Sequence, residues 1–279
     1  MIDPLVSVLM TAYNREKYIE EAIESVLAST YTNFELIIVD DCSKDLTVEI
    51  AKSYAERDNR IQVYLNDKNL GDYPNRNRAA SYAKGKYLKY LDSDDMIYPE
   101  SLKIMVNSME EFTEAGFCVS SKKEMVTSIF TPKDAYELHF FERSLLDYAP
   151  TGILINTDKF KEFNGFKLIR NVSDFDLWLR MAAKYPVIEL PRDLVFWREH
   201  EEQEINIAPE FYTEFNLEIL NENFSSVNCP LSAEQQKIII DKIRKQTARG
   251  LLKALIKKGK LASFLKIRKK YSLNFEDII

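Results

Sequence analysis

Three carboxylates close together offer the clearest chemistry in this sequence. They lie in the Asp-Ser-Asp-Asp segment 92–95, directly after the short apolar run 87–91. If that run is a strand, Asp92 and Asp94 face the same way at its end, so both can reach one ligand. Carboxylate oxygens suit Mg²⁺ or Mn²⁺, which proteins usually bind through one or two carboxylates plus substrate phosphates. The alternative is a solvated acidic turn that caps the next helix.

Strand and helix patterns alternate four times in the first hundred residues, and this predicts an α/β fold with a mainly parallel sheet flanked by helices. Apolar runs typical of buried strands stand at 6–10, 34–39, 61–65 and 87–91, and helical patterns at 15–29, 43–56 and 74–83. Parallel sheets bind ligands beyond the carboxyl ends of their strands. Three of these strands end in polar or acidic residues, namely Thr11, Tyr13 and Asn14, then Asp40 and Asp41, then segment 92–95. We therefore expect one site at that edge.

Beyond residue 120 the pattern is less regular, with a helix predicted over 174–184 and mostly helix from residue 210. We predict a domain over residues 1–205, made of two halves, 1–98 and 99–205. A helical, basic C-terminal region is predicted over 206–279.

The counts of rare residues exclude several classes of protein. Seven glycines are spaced so that neither a G-x-G-x-x-G loop nor a phosphate-binding P-loop can be written. Two histidines exclude an H-E-x-x-H metallopeptidase, and three distant cysteines exclude a disulfide framework and favour a reducing, cytoplasmic location. Carboxylates must therefore carry most of the chemistry.

Basic residues are concentrated near the C-terminus. Residues 242–271 hold twelve Lys and Arg and no acidic residue, although the whole chain has a net charge of −6. Apolar positions recur there at helical spacing opposite a lysine-rich face. This pattern fits a docked helix with a solvated basic face, or a peripheral helix that binds anionic lipid headgroups. Nucleic-acid binding is not predicted, since no aromatic-basic interleaving or reader motif accompanies the charge.

A longer set of motifs resembles glycosyltransferase family two, the inverting enzymes of the GT-A fold. The resemblance covers residues 6–95 and extends, with fewer matching residues, to about residue 200. It implies that 1–98 is the nucleotide-binding half of the domain and 99–205 the acceptor half. The residues that carry it are Thr11-x-Tyr13-Asn14, Glu35 to Asp41 with Ser43, Asp45 and Thr47, Asn69-x-Gly71, Arg76-Asn77, Ala83-x-Gly85-x-Tyr87-Leu88, Leu91 to Asp95, Gly165-Phe166, Ser173 to Arg180 and Trp197-Arg198-x-His200.

The resemblance implies roles for individual residues. Thr11, Tyr13 and Asp41 would hold the nucleoside, with Tyr13 offering an aromatic face and Asp41 accepting a base N–H. Arg76 would approach the nucleotide, although Asn75 stands before it where the family usually has alanine. Asp92 would contact ribose or metal, and Asp94 would ligate a divalent ion that neutralises the leaving diphosphate.

The same resemblance implies a catalytic base. Asp174 aligns with the Asp of the family's Glu-Asp-x-x-Leu-Trp motif, and Ser173 stands where Glu is common. A simple helix-capping role is the alternative for Asp174, with Asp176 as the fallback base. His200 resembles a late histidine that meets the metal or diphosphate in some relatives; a structural role is the alternative.

The sequence thus predicts a metal-dependent inverting glycosyltransferase. It would move a sugar from a nucleotide-sugar donor, expected to be a uridine diphosphate sugar, to a hydroxyl of a glycan or lipid-linked acceptor in bacterial-type surface polysaccharide synthesis. Mn²⁺ or Mg²⁺ is the expected cofactor. The alternatives are a sugar nucleotidyltransferase and a degenerate transferase that only binds nucleotide at a membrane surface.

Overall fold

The structure of the chain is a computed structural model that describes residues 3–120, 126–169, 172–191, 194–200, 209–258 and 269. The chain forms two compact units, Met1–Glu199 and His200–Ile279. The first is α/β, and the described part of the second consists mainly of two helices. The α/β class predicted from the sequence is confirmed.

A mixed sheet lies at the centre of the first unit. The strands in its described residues are β1 (Val6–Ala12), β2 (Phe34–Asp40), β3 (Ile61–Leu65), β4 (Tyr87–Asp92), β5 (Met96–Ile97), β6 (Phe117–Ser120), β7 (Ser128–Phe130), β8 (Ile153–Asn156), β9 (Val187–Leu190) and β10 (Val195–Phe196). The eight-stranded sheet has the order β3-β2-β1-β4-β8-β6-β9-β7, and β5 pairs with β10 separately. Only β8 and β7 run against the common direction in the large sheet, so it is mainly parallel, as predicted.

Helices cover the sheet and make up the second unit. Among the described residues they are α1 (Ile19–Leu27), α2 (Thr47–Ala55), α3 (Asp72–Tyr82), α4 (Ser101–Glu111), α5 (Pro132–Glu137), α6 (Thr157–Glu162), α7 (Ser173–Ala182), α8 (Pro209–Phe224) and α9 (Ala233–Lys258). A π-helical turn (Leu138–Glu142) follows α5, and a 3-10 turn (Pro150–Gly152) precedes β8.

The first strands form because their apolar runs are buried on both faces. Every residue of β2 is buried, and so is all of β1 except Thr11. A strand covered on both sides reads as a continuous apolar run, which is why the sequence predicted these elements. The register places Thr11 beside Val39 on one side and Asp92 on the other, so the strand ends are level.

The second unit contains α8 and α9, which agree with the helical pattern predicted from residue 210 onward. Its buried apolar side chains include Leu217, Leu220 and Ile239. No helix in the described residues is both long enough and apolar enough to cross a bilayer. The predicted helix of the basic segment is present as far as Lys258, where α9 ends. Most of the segment beyond residue 258 lies outside the described residues.

Gly165 lies in close contact with Asn77 of α3. Its φ is +68°, and a Cβ added there would lie 2.5 Å from Asn77 Oδ1. That amide exchanges two hydrogen bonds with the Phe166 backbone: Asn77 Nδ2 donates to Phe166 O at 2.8 Å, and Phe166 N donates to Asn77 Oδ1 at 3.0 Å. Only glycine meets both requirements without strain.

We expect Gly165→Ala to lower the free energy of unfolding by about 2 kcal/mol, because the left-handed backbone and the displaced amide both add cost. Gly250→Ala is the matched control: Gly250 lies inside α9 with nothing within 4 Å of an added Cβ. It should stabilise its helix by about 0.5–1 kcal/mol. Urea unfolding measures both, and an unchanged midpoint for Gly165→Ala would contradict the close approach.

Candidate functional site

The candidate site lies at the carboxyl ends of β1 and β4. The chain runs outward from β1 through β2 to β3 and then returns to β4 on the other side of β1. Such a reversal opens a crevice between the ends of the two central strands. Thr11 and Asp92 are register partners at this point, and Ser93 Oγ donates to Thr11 O at 2.9 Å. Tyr13, the predicted site residue that follows β1, has 45% of its surface exposed.

Asp41 organises the loop that leads into α3. One carboxylate oxygen accepts hydrogen bonds from Asn66 Nδ2 at 2.7 Å and Leu70 N at 2.8 Å, and the other accepts from Gly71 N at 2.8 Å. Asn75, the departure from the usual family pattern, accepts from Asn66 Nδ2 and so extends this buried network. Asp41 is 3% exposed, so its position is fixed by the loop around it.

Arg76 connects α3 to the end of β4. Its Nε binds Asp72 Oδ1 at 2.7 Å, and its Nη2 binds Asp92 Oδ1 at 2.7 Å. The residue is only 6% exposed. Its buried Nη1 has no hydrogen-bond partner among the described residues. Because buried donors are nearly always satisfied, this atom suggests that an acceptor belongs here.

Asp94 is paired with an arginine that the sequence did not single out. Arg15 Nε lies 3.0 Å from Asp94 Oδ2, and the Arg15 side chain also donates to Tyr13 O and Asn14 O. The Arg15 backbone N–H donates to Thr47 Oγ1 at 2.7 Å. A guanidinium held from several sides thus balances the charge of the predicted metal ligand.

Asp95 is the buried carboxylate of the turn after β4. It accepts a hydrogen bond from Arg198 N at 3.0 Å. Burial and the charges of Asp92 and Asp94 raise the pKa of Asp95 to about 7. Deeper still, Lys89 donates to Thr151 O, and burial lowers the pKa of Lys89 to about 8.

Asp174 meets α3 from the other side. It lies in the first turn of α7, where Oδ1 accepts from Tyr73 Oη at 3.0 Å and from Phe175 N at 2.8 Å. No donor to Oδ2 occurs among the described residues. Burial raises the pKa of Asp174 to about 6, against the opposing effects of these two hydrogen bonds and of the Arg76 charge. A carboxyl group with such a pKa can act as a general base near neutral pH.

The contacts of Asp176, the fallback base, do not favour a catalytic role. Asp176 is fully buried and pairs with Lys167 Nζ at 3.1 Å and Arg180 Nε at 2.7 Å. Residues two apart on a helix do not share a face. Ser173 is also fully buried; its hydroxyl accepts from Ile169 N at 3.0 Å and so anchors the preceding loop. The N-cap of α7 is Val172, which makes no side-chain capping hydrogen bond, so neither Ser173 nor Asp174 caps this helix.

The predicted site residues of the first unit are connected through α3. Gly71, which precedes the helix, binds Asp41; Tyr73 binds Asp174; Arg76 binds Asp92. Thr11, Tyr13 and Asp94 adjoin this set through β1 and the β4 turn. His200 is the first residue of the second unit, and its role as a metal ligand stays a prediction.

Sequence reasoning missed Arg15 and Tyr73, whose partners lie 79 and 101 residues away. No local pattern indicates contacts at that separation. The only available signal was their position next to motifs: Arg15 follows Asn14, and Tyr73 follows the Asn69-x-Gly71 loop.

The carboxylate oxygens at the end of β4 could supply some, but not all, of the ligands of a divalent cation. No group of three or more His, Cys, Asp or Glu side chains could hold a metal by itself in the described ranges. A cation shared between one or two carboxylates and substrate phosphates needs no such cluster. Asp92 and Asp94 provide hard oxygen donors of the right kind, with 26% and 15% of their side chains exposed.

Comparisons with known proteins agree on one family. The model of "Glycosyl transferase family 2" matches residues 7–168. An uncharacterized glycosyltransferase of Methanocaldococcus jannaschii is 33% identical over 203 residues, which are 68% of this chain and 69% of the relative. TuaG of Bacillus subtilis, named for teichuronic acid biosynthesis, is 42% identical over 108 residues, which are 39% of this chain and 43% of TuaG.

Solved structures share the fold. TarS 1–349 of S. aureus in complex with UDP-GlcNAc has a TM-score of 0.76 at 20% identity, covering 98% of this chain and 82% of that one. The mannosyltransferase PcManGT from Pyrobaculum calidifontis, in complex with GDP-Man and Mn²⁺, has a TM-score of 0.66 at 16% identity, covering 99% and 83%. The family match and the Methanocaldococcus relative together show that this chain belongs to glycosyltransferase family 2.

Proposed function

We propose that this glycosyltransferase moves a sugar from a uridine diphosphate sugar to a hydroxyl acceptor with inversion, in a single displacement. One observation carries the proposal: Asp92 at the end of β4 and Asp174 on α7 both contact α3, through Arg76 and Tyr73, three residues apart. One rigid helix thus fixes the distance between a leaving-group site and a base.

The donor would bind at the ends of β1, β2 and β4. Thr11, Tyr13 and Asp41 would hold the nucleoside, and the exposed ring of Tyr13 gives a base a face to stack on. Arg76 and Asp92 would hold the ribose and diphosphate side, where the unsatisfied Nη1 of Arg76 supplies a donor for a phosphate oxygen. The fold shared with UDP-GlcNAc-bound TarS supports uridine diphosphate as the nucleotide.

Mn²⁺ or Mg²⁺ would be held by Asp94, with Asp92 as a further candidate, and would supply Lewis-acid neutralisation of the diphosphate. The fold shared with Mn²⁺-bound PcManGT supports a divalent ion. In the structure, Arg15 holds Asp94 at the strand end and Arg76 holds Asp92, so both carboxylates are already oriented.

Asp174 would act as the general base. The acceptor oxygen forms a bond to the anomeric carbon while the bond from that carbon to the diphosphate oxygen breaks, and the diphosphate leaves with the electron pair. The acceptor proton passes to Asp174, whose Oδ2 has no donor in the described residues.

The acceptor would be a glycan or lipid-linked hydroxyl in bacterial-type surface polysaccharide synthesis, and the naming of TuaG supports this class. The enzyme would work in the cytoplasm, with residues 242–271 meeting an anionic membrane surface. The family match argues against a sugar nucleotidyltransferase. A binding module without turnover would require that Asp174 be dispensable.

We expect Asp174→Asn to lower kcat by about 100- to 10,000-fold while uridine diphosphate still binds, because the amide cannot take the acceptor proton. In the unaltered enzyme, log kcat should rise with pH through about 6, since the base works only when deprotonated. Transfer assays over pH 5–8 and calorimetric titration with uridine diphosphate measure both effects.

Asp158→Asn is the matched control. Asp158 is the second residue of α6, as Asp174 is of α7, and it is exposed. Its substitution should leave kcat unchanged. Full turnover by Asp174→Asn would reject Asp174 as the base.

Removing the carboxylate at Asp94 should weaken Mn²⁺ binding. Calorimetric titration of Mn²⁺ in the presence of uridine diphosphate should give at least about tenfold lower affinity for Asp94→Asn, because a hard anionic ligand is lost. Asp67→Asn, which changes an exposed loop carboxylate, is the control and should bind as the unaltered chain does. Equal Mn²⁺ affinities for the unaltered chain and both variants would show that Asp94 is not a metal ligand.

Membrane contact through the basic segment can be tested by flotation of the full chain with vesicles. Recovery should be higher with anionic than with neutral lipid and should fall in high salt, because lysines near a charged surface act electrostatically. Replacing Lys257 and Lys258 with Gln should lower recovery several-fold, because each lysine near an anionic surface contributes about 1 kcal/mol to binding. Lys133→Gln is the control: it changes an exposed lysine of the first unit and should leave recovery unchanged. Equal recovery with both lipids would reject the contact.

A further inference from the structure

Tyr73 makes a buried contact that neither the family motifs nor the donor site requires. Its side chain is 7% exposed and packs against Phe166, with ring centroids 5.4 Å apart. Its hydroxyl donates to Asp174 Oδ1 at 3.0 Å. The aromatic packing fixes the ring and therefore the position of Oη beside Asp174.

The contact makes the two oxygens of Asp174 different. Oδ1 accepts from both Tyr73 and the Phe175 backbone, whereas no described residue donates to Oδ2. A carboxylate held at one oxygen by two donors from different directions cannot rotate without losing one of them. Oδ2 is therefore the oxygen left for a proton from outside.

Among the described residues, three ionisable groups act on the pKa of Asp174. Tyr73 and Arg76 stabilise its charged form and Asp72 destabilises it, all from α3, while burial raises its pKa. Burial and the charges of Asp174 and Asp72 raise the pKa of Tyr73 well above 10. The phenol therefore stays protonated and remains a donor across the pH range in which Asp174 titrates.

We propose that Tyr73 is a positioning residue for the base: it orients the Asp174 carboxylate so that Oδ2 receives the acceptor proton, and it ties that carboxylate to the helix that carries Arg76. This inference rests on the proposed role of Asp174. Tyr73 itself takes no proton and touches neither donor nor acceptor.

The test is Tyr73→Phe, which keeps the ring against Phe166 and removes only the hydroxyl. We expect kcat to fall about tenfold or more, with little change in the KM for the donor, because a hydrogen bond to a charged group is lost. The rising limb of log kcat against pH should move to higher pH, because the carboxylate loses a donor that stabilises its charged form. Incorporating 3-fluorotyrosine at position 73, a stronger donor of similar shape, should move the limb to lower pH.

Tyr136→Phe separates positioning from general loss of stability. Tyr136 is fully buried, and its hydroxyl donates to Leu179 O at 2.9 Å, on the same helix as Asp174. It should lower the unfolding temperature about as much as Tyr73→Phe does and leave the pH profile in place. If Tyr73→Phe gives an unchanged profile and kcat while Asp174→Asn is inactive, the positioning role is overturned and the base stands.

Carboxyl-carbon NMR of Asp174 in the resting enzyme gives a readout that does not need turnover. A higher Asp174 pKa in Tyr73→Phe supports the inference, and an unchanged pKa overturns it. If Asp174→Asn keeps full turnover, the base assignment of the proposed function fails instead, whatever the NMR titration shows.

Discussion

The buried guanidinium of Arg76 is the interaction on which the arrangement of the site depends. Taking this charge out of water is costly unless carboxylates compensate it, and here one comes from its own helix, Asp72, and one from β4, Asp92. The Tyr90 ring lies 5.8 Å from the guanidinium, and the Tyr90 hydroxyl donates to Arg76 O at 3.2 Å. Helix and strand therefore cannot shift relative to each other without leaving a buried charge unpaired.

From this fixed position, α3 organises the rest of the first unit. Its N-terminus follows the loop that Asp41 orders, Tyr73 reaches α7, and Asn77 pairs with the Phe166 backbone. Groups held on a helix by packed neighbours keep their geometry better than groups on loops. The predicted nucleotide-binding half and the predicted acceptor half are thus joined by direct contacts from one eleven-residue element.

The sequence predicted the elements that depend on local patterns. Continuous apolar runs indicated β1, β2 and β4, and the carboxylates after β4 indicated the edge where the site lies. Helix starts were less accurate. Helix α2 begins at Thr47 rather than at 43, because the loop before it is organised by Ser43 Oγ, which accepts from Asn14 N, and by Asp45 Oδ1, which accepts from Thr47 N. The pairing of Arg15 with Asp94 and of Tyr73 with Asp174 could not be predicted, since both depend on how distant segments meet.

The charges at the end of β4 also explain why a divalent cation suits this site. Arg15 and Arg76 pair with Asp94 and Asp92, and Arg198 meets the Asp94 backbone and pairs with Glu21. Asp72 and Asp174 add two more carboxyl groups nearby, so the arginines in these contacts do not outnumber the acidic groups. A nucleoside diphosphate adds further negative charge to a partly buried site, where uncompensated charge is expensive. Under the proposed mechanism, compensation would arrive with the substrate: a divalent ion held by the strand-end carboxylates would supply it without any further basic residue.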